Sequence, residues 1–305
     1  MLLLAVLTGC ASDDNGDVGR PLVMGASGTP ESLVMAQIYA GALRGAGADV
    51  SPDPRIGDDG ALLDAMSRSE VDLFPAFTGR LLAELAPASA ATPDSGNAAG
   101  DGPAAADPNA DARYVALNRS LPEGVSVGDA TPVSVTPQLF VSNATAAAAG
   151  VSDLSGCARL PAGLLVVTTD EPDARTLHAF ADAGCRLGPV ARVGDARTVL
   201  ERVAAGNALG LLTPLQIAGD TASGPAGQVE ALSAPSGSQG AAAGPPAEVL
   251  VPVYRTAALT RDQVKAINRV AGEITTADLA TLAGRVRAGS NPAGLAADWL
   301  NEHGI

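Results

Sequence analysis

Ser69-Glu70-Val71-Asp72-Leu73-Phe74-Pro75-Ala76-Phe77-Thr78-Gly79-Arg80 is the stretch on which the fold turns. Residues 71–75 form a short apolar run and read as a buried strand, and residues 76–80 open a helix. Just upstream, Ile56-Gly57 leads into a helix expected over 59–69. The same alternation occurs once before. Leu22-Val23-Met24 reads as a strand stopped by Gly25, and Thr29 before Pro30 and Glu31 has the character of a helix N-cap with proline at the first helical position. Leu33, Ile38, Ala42 and Leu43 then give an apolar face at helical spacing, closed by Gly45-Ala46-Gly47. Strand, capped loop and amphipathic helix in that order start an α/β domain. A loop at a strand's C-terminal end, backed by a helix N-terminus, is a ligand-facing position.

Outward from these units the alternation continues. Strands are expected at 125–127, 138–142, 164–167, 209–212 and 249–254. Helices are expected at 174–183, 196–205, 260–273, 276–287 with Thr275 or Thr276 as N-cap, and 295–301. Two stretches, 87–111 and 221–246, are rich in Ala, Gly, Pro and Asp or Ser without periodicity and read as flexible surface insertions. No repeat of solenoid period is present.

The chain has 305 residues, which at roughly 100–200 residues per domain suggests about two domains or one large one. Hydrophobic residues are 47% and aromatics only 3%, so the core must be built from Ala, Val, Leu and Ile. With 33 acids against 19 bases the net charge is −14. Such a surface repels phosphate backbones, which speaks against nucleic-acid binding, and it keeps a protein soluble.

The apolar run at 1–7 ends in Leu7-Thr8-Gly9-Cys10. It is too short for a membrane span, which needs about 20 apolar residues. It resembles the end of a secretory signal, and the tetrad resembles a bacterial lipobox, whose cysteine is diacylated, although a cationic n-region is missing. A polar, acidic tether follows at 11–20. Cys157 and Cys185 match no metal-binding spacing; in an exported protein they can pair, stabilising by about 3 kcal/mol for a loop of that length, or stay as two buried thiols. His178 and His303 fall in no zinc or triad motif and read as surface residues. Asn118-Arg119-Ser120 and Asn143-Ala144-Thr145 match glycosylation acceptors and, beside a lipobox, are coincidental.

Taken in order, four stretches resemble the glycine betaine/carnitine/choline-binding proteins of ABC importers, the osmoprotectant class with a two-lobed type II periplasmic-binding fold. They are Val23 to Tyr39; Gly57 to Arg80, similar to the family's run ending in "PeYtG"; Ala205 to Thr213; and Glu273 to Leu279 with Ala296-Ala297-Asp298-Trp299-Leu300. The resemblance implies an α/β molecule of two lobes, each a mixed sheet flanked by helices. The domains then read as a signal and lipobox segment 1–10, a tether 11–20, a discontinuous lobe I of 21–115 plus 225–305, and a lobe II of 116–224. It implies a cleft between lobes that close by a hinge, an ABC permease as partner, no cofactor or metal, a monomer, and an extracytoplasmic, lipid-anchored location through Cys10. Loop placement and the family correspondence together put Ser27, Thr29, Phe77, Thr78, Arg80, Thr136, Gln138, Thr213 and Gln216 at the cleft.

The ligand chemistry departs from the family. A quaternary ammonium has no hydrogen-bond donors and is held by aromatic faces, one of them the tyrosine of "PeYtG". Here that position is Phe77, the preceding acid is Ala76, and the residue after the glycine is Arg80. The stretches Thr131 to Gln138 and Thr168 to Asp173 supply no aromatic. Tyr39 reads as a core residue, and Tyr254 as a strand residue or a cleft residue. Three outcomes stay open: a weakly held betaine, an anion or zwitterion clamped by Arg80, whose fork suits carboxylates, or a cleft without a transport ligand. Arg80 reads equally as a solvated surface residue. An enzyme is disfavoured. The chain has no Gly-x-Ser-x-Gly elbow, zinc signature, P-loop or dinucleotide fingerprint, Ser27 lacks a histidine partner, and Asp58/Asp59 and Asp170/Glu171 are turn acids. The remaining class is a surface interaction lipoprotein that keeps the binding fold.

Overall fold

The structure is a computed structural model that describes residues 20–85, 108–218, 226–234 and 244–305. Cys10 and most of the tether lie outside the described residues, as does much of both expected insertions.

The chain opens with β1 (Gly25–Ala26), α1 (Pro30–Gly45), β2 (Arg55–Ile56), α2 (Asp59–Ser67), β3 (Leu73–Phe77) and α3 (Thr78–Leu85). Then come α4 (Pro108–Ser120), β4 (Val125–Val127), β5 (Gln138–Ser142), α5 (Asn143–Ala149), β6 (Leu165–Thr168) and α6 (Ala174–Asp182). The order continues through β7 (Val190–Arg192), α7 (Ala196–Ala204), β8 (Ala208–Leu212), α8 (Pro214–Ala218) and β9 (Val229–Leu232). It ends with β10 (Leu250–Arg255), α9 (Arg261–Glu273), α10 (Thr276–Arg287) and α11 (Pro292–His303). Helix starts follow local chemistry. Asp58, Ser142, Asp173, Asp195, Thr260, Thr275 and Asn291 each accept a backbone N–H of the first turn, and such a cap contributes about 1 kcal/mol.

The strands form two sheets of the same design. In the first, parallel β1 and β2 join β3 through a parallel bridge between Met24 and Leu73, and β3 and β4 flank β10 antiparallel, giving the order β2-β1-β3-β10-β4. In the second the order is β7-β6-β8-β5-β9, parallel across β7-β6-β8 and antiparallel on either side of β5. Both sheets are covered on two faces, so strand residues alternate between two apolar layers. Leu73 and Phe77 pack with α1 and the C-terminal helices, while Phe74 and Ala76 pack with Leu62, Leu81 and Leu117. In the second sheet Val166 joins Leu139 and Phe180, whereas Val167 joins Val199 and Val203. This is the two-lobed α/β architecture of the type II binding fold.

The chain crosses between the sheets twice, and the two crossings run side by side. Thr131 N–H donates to Leu250 O at 2.9 Å, Leu250 N–H to Val133 O at 3.2 Å, and Val135 N–H to Glu248 O at 3.1 Å; Ser134 and Val249 form an antiparallel bridge. Two expected boundaries therefore move. β4, placed with the second lobe by a boundary at 115/116, pairs with β10 in the first sheet. β9 lies inside the expected insertion 221–246 and beyond a boundary at 224/225, yet pairs with β5 in the second sheet. Both are short edge strands whose alternation fixes which face is apolar and leaves the partner strand open.

Other differences are local. β3 continues to Phe77 instead of ending at Pro75, because Pro75 sits opposite Pro252 of β10 and neither missing N–H interrupts a bond between them. α4 had no counterpart among the expected helices; Leu117 is its one fully buried apolar side chain among those described. α11 runs longer than 295–301, since Asn291 caps it and Pro292 occupies the first helical position.

Candidate functional site

β1 and β8 lead directly into the expected site residues Ser27 and Thr213, and β3 ends in Phe77. After β1, Ser27 N–H donates to Ser32 Oγ at 2.9 Å, and the Ser27 hydroxyl lies 3.2 Å from Thr29 Oγ1. Thr29 is the N-cap residue of α1 but its side chain makes no cap bond.

After β3, Phe77 and Thr78 are buried and Arg80 is exposed. The Arg80 guanidinium carbon stands 5.2 Å from the centroid of the Phe77 ring, a cation–π geometry. Thr78 ties this loop to the second crossing: its N–H donates to Val249 O at 3.0 Å and its Oγ1 accepts Val249 N–H at 3.2 Å. Thr136, on the first crossing, accepts Glu248 N–H at 3.0 Å. Glu248 in turn lies flat over Gly79, where a Cβ would come within 2.6 Å of its Oε1 and 2.7 Å of its Cδ. A side chain at position 79 would therefore displace the Glu248 carboxylate from this place. Phe77, Thr78, Arg80 and Thr136 are thus linked through Gly79, Glu248 and Val249.

After β8, Thr213 and Gln216 form a closed loop. Thr213 N–H donates to Gln216 Oε1 at 2.7 Å and Gln216 N–H to Thr213 Oγ1 at 3.3 Å. The Gln216 amide donates to Thr169 Oγ1 at 2.8 Å and Asp170 Oδ2 at 2.7 Å. Both N–H bonds of that amide are used, so Gln216 braces the β6–α6 loop. Gln138 starts β5 opposite Leu212.

The electrostatics converge on Glu248. Burial pushes its carboxyl above the ordinary value; Arg80 and Arg113 pull it back, Asp173 pushes it further, and Arg175 pulls it back. Arg80 and Arg113 belong to the first lobe's α3 and α4, and Asp173 and Arg175 to the start of α6 in the second. Burial also raises Asp59, opposed by Arg80 and reinforced by Glu84 and Asp58. Burial lowers the Arg113 guanidinium, with Glu248 opposing and Arg175 adding to the shift. Arg80 thus acts electrostatically on two half-buried acids, Asp59 and Glu248. Sequence reasoning passed over Glu248, yet it is the lone charge between Gly244 and Tyr254, at the head of an apolar strand.

Elsewhere, Cys157 and Cys185 are joined with Cα atoms 4.8 Å apart inside the second lobe's core. His178 is exposed, whereas His303, expected at the surface, is half-buried and stacks on Trp299 at 4.2 Å. Tyr39 is fully buried and Tyr254 is packed into the same core, so neither forms an open aromatic wall. Among the described residues no group of three His, Cys, Asp or Glu could hold a metal ion, and no helix is long and apolar enough to cross a membrane.

No curated protein sequence matches the chain. Among solved structures it superposes on apo YehZ from Escherichia coli with a TM-score of 0.63 at 17% identity, covering 93% of this chain and 99% of that one. A glycine betaine/carnitine/choline ABC transporter structure gives a TM-score of 0.63 at 15% identity, covering 92% and 98%. At such identities the likeness is one of fold. The family of substrate-binding domains of ABC-type glycine betaine transport systems matches residues 20–179, a family of binding proteins rather than of enzymes, and to this family the chain belongs.

Proposed function

We propose that this protein is the extracytoplasmic solute-binding component of an ABC importer, lipid-anchored through Cys10, and that its ligand is a small zwitterion bearing a carboxylate. The observation carrying the ligand class is Arg80. Its guanidinium covers the Phe77 ring, so the one aromatic face expected to hold a quaternary ammonium already faces a cation. What remains exposed there is a planar donor fork suited to carboxylate. Thr136 and Ser134 bring hydroxyl groups 3.0 Å apart onto the first crossing, and Ser27 and Thr29 add two more after β1.

A thermal-shift screen of the purified chain against betaines, choline, carnitine, proline and small carboxylates tests this. A ligand at 100 times its dissociation constant stabilises a fold by about 2.7 kcal/mol, a readable rise in melting temperature. Hits among carboxylate-bearing zwitterions, lost in Arg80→Ala, are the expected result. Choline, which has no carboxylate, as the sole hit would sink the ligand class, and silence across the panel would leave a binding-fold lipoprotein acting through surface interactions.

A further inference from the structure

We infer that the Glu248 carboxylate reads the cationic pole of the ligand, so that the ligand carries an ammonium with N–H donors rather than a fully methylated one. This rests on the solute-binding reading above and narrows it.

The position of Glu248 is the first ground. It lies on one of the two crossings, its backbone bonded to Val135 and to Thr136 Oγ1, its side chain laid over Gly79 at the start of α3. The charges of Arg80 and Arg113 on one lobe and of Asp173 and Arg175 on the other all act on it. A group so placed meets whatever the two lobes close upon.

The second ground is what Glu248 lacks. Among the described residues its carboxylate accepts no hydrogen bond and forms no ion pair, although it is half-buried. Its oxygens stay open to solvent rather than sealed in the core, so a ligand can reach them, and a ligand that displaced that solvent without offering donors would leave the carboxylate unsatisfied at a cost. An ammonium with two or three N–H bonds would supply those donors directly, and a trimethylated nitrogen offers none.

The third ground is the aromatic inventory. Of four Phe, three Tyr and one Trp, all but Tyr114 are buried, and the Tyr114 hydroxyl donates to Gly128 O. Phe77 is 3% exposed and covered by Arg80. Recognition of a cation here falls to a carboxylate, with the carboxylate end of the ligand left to Arg80.

The test is calorimetric titration of the purified chain and of Glu248→Gln with two methylation series: glycine to glycine betaine, and proline to proline betaine, with acetate as a carboxylate lacking a cation. In the native chain, affinity should fall with each N–H replaced by methyl. Glu248→Gln should weaken the N–H-bearing members roughly tenfold to hundredfold, the range of one lost charge-assisted hydrogen bond, and leave acetate and the fully methylated members unchanged. Gly79→Ala, which displaces the carboxylate without removing it, should show the same selective loss. The unliganded melting temperature of each variant reports folding. If the betaines bind tightest and Glu248→Gln leaves them untouched, the inference fails while the solute-binding reading stands. If no member of either series binds the native chain, both fail together.

Discussion

Asp72 and Glu248 are two buried or half-buried acids whose surroundings differ, and so do the consequences. Asp72 is 0% exposed and saturated: Arg20 bonds it at 2.7 and 2.8 Å, Arg255 at 2.7 Å, and Val23 N–H at 2.9 Å. It ties Arg20 to β10, and removing one partner of such a set leaves buried charge uncompensated. Asp72→Asn should destabilise the fold by about 3–5 kcal/mol, read as a lowered urea midpoint; a change within experimental error would mean the guanidinium groups find water instead. Glu248 has a pKa raised by burial, against Arg80, Arg113 and Arg175 and with Asp173. For an acid with a raised folded value, the native state holds the proton more tightly than the unfolded state does. Its stabilising contribution is present at low pH and is lost as pH rises through the folded value. Glu248→Gln removes that loss. The melting temperature of the variant minus that of the native chain should therefore grow as pH rises from about 4.5, the group's ordinary value, towards neutrality. A flat or falling difference would show that the guanidinium groups outweigh burial.

Elements were the most legible level, because caps and apolar periodicity are local. The Thr29–Pro30 start of α1, the Thr275 N-cap of α10 and the β6, β8 and β10 runs stand where the pattern puts them. Partner choice was less legible: β4 and β9 are edge strands of three and four residues, and only long-range pairing decides their sheet. Site residues divided in the same way. Phe77, Thr78, Arg80 and Thr136 were named from loop placement and family correspondence as cleft candidates, whereas the position of Glu248 depends on two crossings lying side by side, which no local pattern encodes. A similar long-range constraint acts at Gly210 in β8. A Cβ there would lie 2.9 Å from Val203 Cγ2 and 3.0 Å from Val199 Cγ1, both β-branched side chains of α7 with little rotamer freedom. Gly210→Ala should cost about 1–3 kcal/mol through overpacking, measurable as a lower midpoint in denaturant. Stabilisation would mean that α7 yields.

At the scale of the molecule, each lobe owns its core: one pair of apolar layers covers the first sheet and another pair covers the second. The lobes meet at the paired crossings, at the charges around Glu248 and where α8, directly after β8, packs on α10 with Leu215 in the first lobe's core. The disulfide between Cys157 and Cys185 lies wholly in the second lobe, 28 positions apart. By the loop-entropy account its removal should cost that lobe about 3 kcal/mol and the first lobe nothing directly. Scanning calorimetry with and without a reductant separates the cases. If the lobes unfold as separate units, reduction should shift one transition downwards and leave the other in place. A ligand gripped by groups on both crossings and both lobes stabilises the closed pair by mass action, so adding a bound zwitterion to the reduced protein should draw the two transitions back together. Should both transitions fall equally on reduction without ligand, the lobes are one cooperative unit, and the crossings transmit stability between them.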